Sequence, residues 1–224
     1  MKPVIVFGTT VIAEMLFYDA SDSTEFQIAG FTTDPEYLAG DSFLSVPLIS
    51  FDLVEQVFPP KDYDMIAAIA GSSDMRGHAS YYLRAKEKGY TIRNYISRRA
   101  FVTPGTKLGE NSLIFPFAYI GPKGEIGENV IVRQNAYLGH NIEVGPHSFI
   151  GAGCQVGGGC KIGPFSYLAI GSTLSDHVTL GRETLVGAGS VVIHDTAPFN
   201  TVVGNPARVI GTHEEEGIRI KRRE

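Results

Sequence analysis

A chain of 224 residues has room for one large or two small domains, and its apolar fraction of 43% is that of a soluble globular protein. A net charge of −5, with no basic block before Lys221, Arg222 and Arg223, excludes nucleic acid as a main partner. No stretch approaches membrane-spanning length and the opening MKPVIVFG is too short an apolar run for a signal peptide, so a cytoplasmic protein without a membrane partner is expected.

Pro3 to Phe7 reads as a first strand ending at Gly8, after which Thr9 or Thr10 can cap a helix through Ala13, Met15 and Leu16. A second strand, Phe26 to Phe31, precedes Asp34, and Val46 to Ile49 is a short third strand. Asp52 to Phe58 is read as a helix closed by Pro59 and Pro60, Tyr63 to Ala70 as a buried strand ending at Gly71, and Asp74 to Lys88 as an amphipathic helix stopped by Gly89. This alternation predicts a small Rossmann-like parallel sheet, an α/β domain over residues 1–94, covered on both faces. Ligands of such sheets sit at the strand ends, here Gly8, Thr33 with Asp34, and Gly71. Thr9, Thr10, Val11 and Ile12 follow Gly8, so the second and third glycines of a dinucleotide site are missing. A smaller nucleotide or a nucleotide-linked sugar fits better than a redox dinucleotide. Asp34 has two readings, a cap on the following turn or a contact to base or ribose.

From Ile96 to Val192 the rhythm changes. Every sixth residue is aliphatic, the next position is most often glycine (Gly109, Gly121, Gly127, Gly139 and onward), and the fifth is mostly small. Neither the 3.6-residue period of a helix nor the two-residue period of a strand produces this. A solenoid does: each hexad is a short strand plus a corner, three hexads close a triangular coil, and residues 18 apart stack at the strand spacing of about 4.8 Å. The glycines are assigned to the bends. Cys154 and Cys160 fall on fifth positions and are read as buried small residues. The coil is expected over residues 95–212, with 213–224 a polar, frayed tail.

These hexads resemble those of the hexapeptide-repeat acyltransferases, which implies a left-handed parallel β-helix. A small α/β domain joined directly to such a prism resembles the sugar acetyltransferases of sialic acid and bacillosamine biosynthesis. The resemblance implies that the first domain holds the nucleotide of an amino sugar and that the prism holds acetyl-coenzyme A. It carries substrate contacts onto Gly8, Thr10, Val11, Thr33, Asp34, Gly71 and Arg76. The family's Gly, Asn, Asn, acidic, aliphatic, Arg run is matched by Gly71, Ser72, Ser73, Asp74, Met75 and Arg76, whereas its first loop, Gly, small, Ser, Gly, His, reads here Gly8, Thr9, Thr10, Val11, Ile12.

His140 is at the third position of its hexad, stacked between Pro122 and Gly158, which leaves room around an imidazole. The resemblance makes it the general base that takes the proton of an attacking amine or hydroxyl. Asn141 stands where the family has an acid, and an amide adds no charge to the imidazole. An amine depends less on a base than a hydroxyl does, so N-acylation is favoured. Phe149 stands where many members have a second His near the thioester. Ala152, Ile170 and Ala188, 18 apart, line about 10 Å of apolar wall for a pantetheine arm. Phe149, Ile170 and Ala188 are therefore the expected cofactor residues, and the Gly204 to Arg208 segment resembles one that packs near the cofactor's distal end. His147 is read as outward-facing, on the surface or in trimer packing, while His78, His177, His194 and His213 fit no motif. Aromatic residues on flat faces, Tyr119, Tyr137, Phe149 and Tyr167, agree with the homotrimer that the resemblance implies. No metal is expected. Three other readings stay open: a sialic acid O-acetyltransferase, a trimeric metalloenzyme of the carbonic anhydrase type, and a non-catalytic sugar-nucleotide-binding trimer.

Overall fold

Val4 to Phe7 (β1) is a run of buried aliphatic and aromatic residues, and such a run is stable only between two covering layers. The computed structural model, which describes residues 2–21, 26–70, 75–213 and 217–218, supplies both. Helix α1 (Val11–Ala20) covers one side, and the short helix α2 (Val54–Val57) with α3 (Met75–Glu87) covers the other. Between them β1 pairs in parallel with β2 (Ile28–Thr33) and β5 (Asp64–Ala67), and β2 with β4 (Val46–Ser50). The edge strand β3 (Ser42–Phe43) runs antiparallel to β4, so the sheet, in the order β3-β4-β2-β1-β5, is mixed where a parallel one is expected. Its hairpin turn, Leu44 and Ser45, has φ of 51° and 62°, the backbone that Asn-Gly normally supplies, so its residue types give no turn signal. Among the described residues no helix is long and apolar enough to cross a membrane.

The chain enters the coil at Tyr95–Ile96, which pairs with Leu113–Ile114. From there three faces of two-residue strands build up, each strand paired in parallel with the one 18 residues on, as Tyr119 with Tyr137 and Glu125 with Glu143. First-position aliphatics from Ile114 to Val192 fill the axis with fifth-position small residues, including both cysteines. The cysteines are free, and burial pushes their thiols up. The first coil is open, and Ile96 is 44% exposed. A hairpin, Asn200–Gly204 with Ala207–Thr212, closes the far end by extending the first face.

The bend, however, is at the fourth position and not at the second-position glycine. Asn111, Asn129, Asn135, Asn141 and His147 have φ between 55° and 60°, and Gly153, Gly159, Gly171 and Gly189 take the same left-handed backbone. The second-position glycines have a different cause: a Cβ built on Gly145 would lie 2.5 Å from the backbone nitrogen of Pro164 in the next coil. They permit close stacking.

Helix α1 is pressed between the sheet and the first face of the coil, so Ile12 and Leu16 share one core with Leu113, Phe115, Ile131 and Phe149. Two described residues of the expected tail are held: Ile218 is apolar, 1% exposed and part of this core, and His213 Nε2 lies 2.7 Å from the Glu183 carbonyl. On the corner between the third and first faces, Asn111 Nδ2 donates to Asn129 Oδ1 (2.6 Å) and to the Ala67 carbonyl (3.0 Å), and Asn129 Nδ2 meets His147 Nδ1 (3.1 Å). His147 is thus buried between coil and α3 instead of on an outer surface, since α3 covers that corner.

His78 on α3 joins the same contact, with Nδ1 2.5 Å from the Ile69 carbonyl and Nε2 2.9 Å from that of Asn129. Burial pushes its pKa below the ordinary 6.5, against the two carbonyls, which favour the proton. Burial lowers His147 too, helped by His78 and opposed by Glu128. Because the folded values lie below the unfolded one, the unfolded chain takes up protons first on acidification. Their stability contribution is complete above pH 6.5 and is lost as pH falls through the folded values. Melting temperature should therefore drop by a few degrees between roughly pH 7.5 and 5.5, and drop less in His147→Asn.

Candidate active site

At the carboxyl ends of β1, β2 and β5 a cleft of about 540 Å³ opens between the residue 8–12 loop and the coil residues Arg133, Phe149 and Tyr167. Gly8 has φ +125°, and a Cβ there would lie 2.5 Å from Ile69 Cγ1, so both the turn and the close approach require glycine. Thr10 holds the N-cap position of α1, but its hydroxyl donates to the Ala68 carbonyl (3.0 Å) and ties the loop to the strand beside β1. Gly8, Thr10, Val11 and Thr33 all line the cleft, as their sequence positions suggest.

Two expected substrate residues are committed elsewhere. The Asp34 carboxylate is paired with the Arg84 guanidinium, one bond being 3.0 Å, and that guanidinium lies over the Phe51 ring at 4.8 Å; the cleft is met instead by Thr33 and Tyr37. The side-chain cap does not form. Arg76 grips the buried Glu183 of the coil (2.9 Å) and is not among the cleft-lining residues. In both cases a charge finds its partner far away in sequence. Gly71 lies outside the described residues.

Phe149 is on the face covered by α1, 5% exposed, and stacks on Tyr167 with ring centroids 4.8 Å apart and planes 4° from parallel. This puts it in the cleft wall, so its contact is with whatever fills the cleft. Arg133, Tyr37, Tyr81 and Tyr167 complete the wall and had no motif to announce them; the 18-residue register alone places Tyr167 over Phe149.

His140 stands on a different corner, between the second and third faces. Its ring lies over Gly158: a Cβ built there would be 2.5 Å from Nε2 and 2.7 Å from Cε1. Nδ1 is 3.1 Å from Asn141 Oδ1, an acceptor, so Nδ1 is the donor and Nε2 has no hydrogen-bond partner among the described residues. One coil on, Asp176 Oδ1 accepts the Gly158 N–H (2.7 Å) and fixes the glycine beneath the ring, a contact readable from the 18-residue register.

The corner between the first and second faces carries Ala152, Ile170 and Ala188, with Ile170 65% exposed. The carbonyls of Ala152 and Ile170 differ from their amides. Gly171 N donates to Ala152 O and Gly189 N to Ile170 O, each about one coil apart, whereas the N–H groups of Ala152, Ile170 and Ala188 meet no acceptor among the described residues. An apolar edge with a row of free donors fits the amide carbonyls and methylenes of a pantetheine arm. Within one chain, His140 and this edge occupy neighbouring corners on either side of the second face.

An α/β unit leaning on a three-sided hexad coil, with one imidazole and one amide-bearing edge, defines the class: a left-handed parallel β-helix of the hexapeptide type. Residues 124–158, which include His140, match the bacterial transferase hexapeptide (six repeats) family. Over 45 residues the chain is 44% identical to the serine acetyltransferase of Bacillus subtilis (strain 168), a stretch that is 20% of this chain and spans only 19% of that protein. Over nearly its whole length the chain is similar to PerB from Caulobacter crescentus in complex with CoA and GDP-perosamine, with TM-score 0.84, 24% identity and coverage of 94% of this chain and 98% of that one. It is similar also to the acetyltransferase domain of PglB from Neisseria gonorrhoeae FA1090 in complex with acetyl coenzyme A, with TM-score 0.84, 22% identity and coverage of 93% and 99%. At these identities the likeness establishes the fold.

Proposed function

We propose that the protein transfers the acetyl group of acetyl-coenzyme A to the amino group of a nucleotide-linked amino sugar. The observation that carries this reading is His140 with Nδ1 occupied and Nε2 left as a base, on a hexad coil fused to a cleft at the ends of a nucleotide-type sheet. PerB, alike over 94% of this chain, holds CoA and a nucleotide-linked amino sugar, and that supports the same pair of ligands here.

Residues 1–94 with the facing coil would hold the acceptor through Gly8, Thr10, Val11 and Thr33, and residues 95–212 the donor. The free amides of Ala152, Ile170 and Ala188 would bond the pantetheine arm. The sugar nitrogen adds to the thioester carbonyl, the C–S bond breaks, and the proton shed by the nitrogen passes to His140 Nε2 and on to the departing thiolate. Asn141 holds the ring's tautomer without adding charge, which suits an amine more than a hydroxyl. Because the donor edge and His140 sit on neighbouring corners, the complete site needs the donor edge of one protomer beside His140 of another. A ladder of Phe101, Tyr119 and Tyr137 on the second face, with centroids 5.5 and 5.2 Å apart and two of the rings 57% and 44% exposed, offers the apolar surface for such a homotrimer. Phe149 and Tyr167 do not belong to that surface, being covered within the chain. Both co-substrates are activated metabolites of the cytoplasm, where the enzyme would work in polysaccharide biosynthesis.

The test is thiol release from acetyl-coenzyme A with a panel of UDP-, GDP- and dTDP-linked amino sugars and with free sialic acid. Release with a nucleotide-linked amine and not with sialic acid is expected. Release only with sialic acid would replace the reading by O-acetylation, and release with none would remove it.

A further inference from the structure

Arg133 enters the cleft from the coil at the second position of its hexad, where glycine is the common occupant. Its guanidinium is half-buried. Nε donates to Gln134 Oε1 (3.0 Å) and Nη2 to Met15 Sδ (3.2 Å), and the group lies over Phe115 and Phe149 at 5.8 and 5.9 Å. A thioether is a weak acceptor, and rings near 6 Å are at the outer limit of useful cation–π attraction. No carboxylate reaches it among the described residues, although Arg76, Arg84, Arg93, Arg99 and Arg182 each have one.

A cation drawn out of water without an acid partner is costly, and burial pulls the pKa of Arg133 down while leaving it charged. Some other acceptor must justify that cost. Nη1 and the second hydrogen of Nη2 have no acceptor among the described residues, Arg133 lines a cleft whose described lining contains no Asp or Glu, and the protein has a net charge of −5. The first amides of α1, at Val11 and Ile12, open into the same cleft; neither has an acceptor among the described residues, and they add the positive end of the helix.

We infer that Arg133 is the specificity-determining anchor of the cleft, holding an anionic pair of oxygens on the acceptor through its free Nη donors. This rests on the reading that the acceptor fills the cleft. The shared chemistry is a phosphate or a carboxylate: the diphosphate that links nucleotide to sugar, or an acid group on the sugar itself.

Calorimetric titration of wild type, Arg133→Gln and Arg133→Lys separates the sources, with UDP, GDP and dTDP as one set of probes and UDP-glucuronate against UDP-glucose as the other. For a diphosphate anchor, the best-bound nucleoside diphosphate should bind about 10- to 100-fold more weakly to R133Q, with partial recovery in R133K. For a sugar carboxylate, the diphosphates bind R133Q unchanged while a wild-type preference for UDP-glucuronate is lost. Either result supports the anchor. Equal affinity of R133Q and wild type for every probe overturns it, as does a wild type that binds none of them. Should R133Q fail to fold, a wild-type affinity for the best probe that does not weaken between roughly 50 and 500 mM salt overturns it as well, because a partly exposed charge contact must be screened. Arg133-dependent nucleotide binding without thiol release would retire the acyl-transfer reading and leave the anchor standing, and thiol release indifferent to R133Q would do the reverse.

Discussion

His140→Ala should lower acetyl transfer by about 10²- to 10⁴-fold, the range typical of a lost general base, with the melting temperature within a degree or so of wild type. Both halves follow from the same geometry. The imidazole is exposed, lies over Gly158, is not part of the coil axis and among the described residues has Asn141 as its hydrogen-bond partner, so its removal leaves no buried group unpaired. Steady-state thiol release and a thermal melt check the two together. Gly158→Val is the companion variant: a side chain in the space under the ring would turn Nε2 away, so activity should fall while His140 is still present. A general base displaced but not deleted loses rate at constant donor affinity, so the loss should appear in kcat.

Gly145→Val should cost about 3 kcal/mol or more of stability, among the largest effects available in the coil. The Cβ would meet Pro164 N, Pro164 Cα and the Gly163 carbonyl carbon at 2.5 to 2.8 Å, and these are backbone atoms that cannot swing aside. Gly153→Ala provides the contrast. That glycine is at the bend with φ +68° and open space around it, so only the left-handed backbone penalty applies, about 1 kcal/mol. Denaturant melts of the two variants rank close stacking against bending; equal losses would contradict the separation of roles described for the second and fourth positions.

The coil was legible because its pattern has a single cause. Every sixth side chain must fill the axis, so the aliphatic period survives any surface variation, and the 18-residue register then stacks Tyr119 on Tyr137 and His140 on Gly158 without further information. What is not legible depends on which corner another element covers. His147 and Phe149 have outward-pointing sequence positions, and only the docking of α3 and α1 buries them. Asp34 and Arg76 follow the same rule for charge, being claimed by Arg84 and Glu183 from distant segments. The bend is hard to place from sequence although Asn111, Asn129, Asn135 and Asn141 recur at fourth positions, because frequent glycine is the more conspicuous mark of a turn. Arg133 carries no mark at all, since one arginine in a hexad reads as solvated until the cleft around it is seen.

A crystal structure with bound coenzyme A measures what matters most here, the separation between the cofactor sulfur and Nε2 of the nearest His140 in the assembly. We expect the arm along Ala152, Ile170 and Ala188 of one protomer, with its sulfur within reach of His140 of the next directly or through one water, roughly 6 Å or less. A sulfur farther than roughly 10 Å from every imidazole, beyond any single bridging water, would contradict the account.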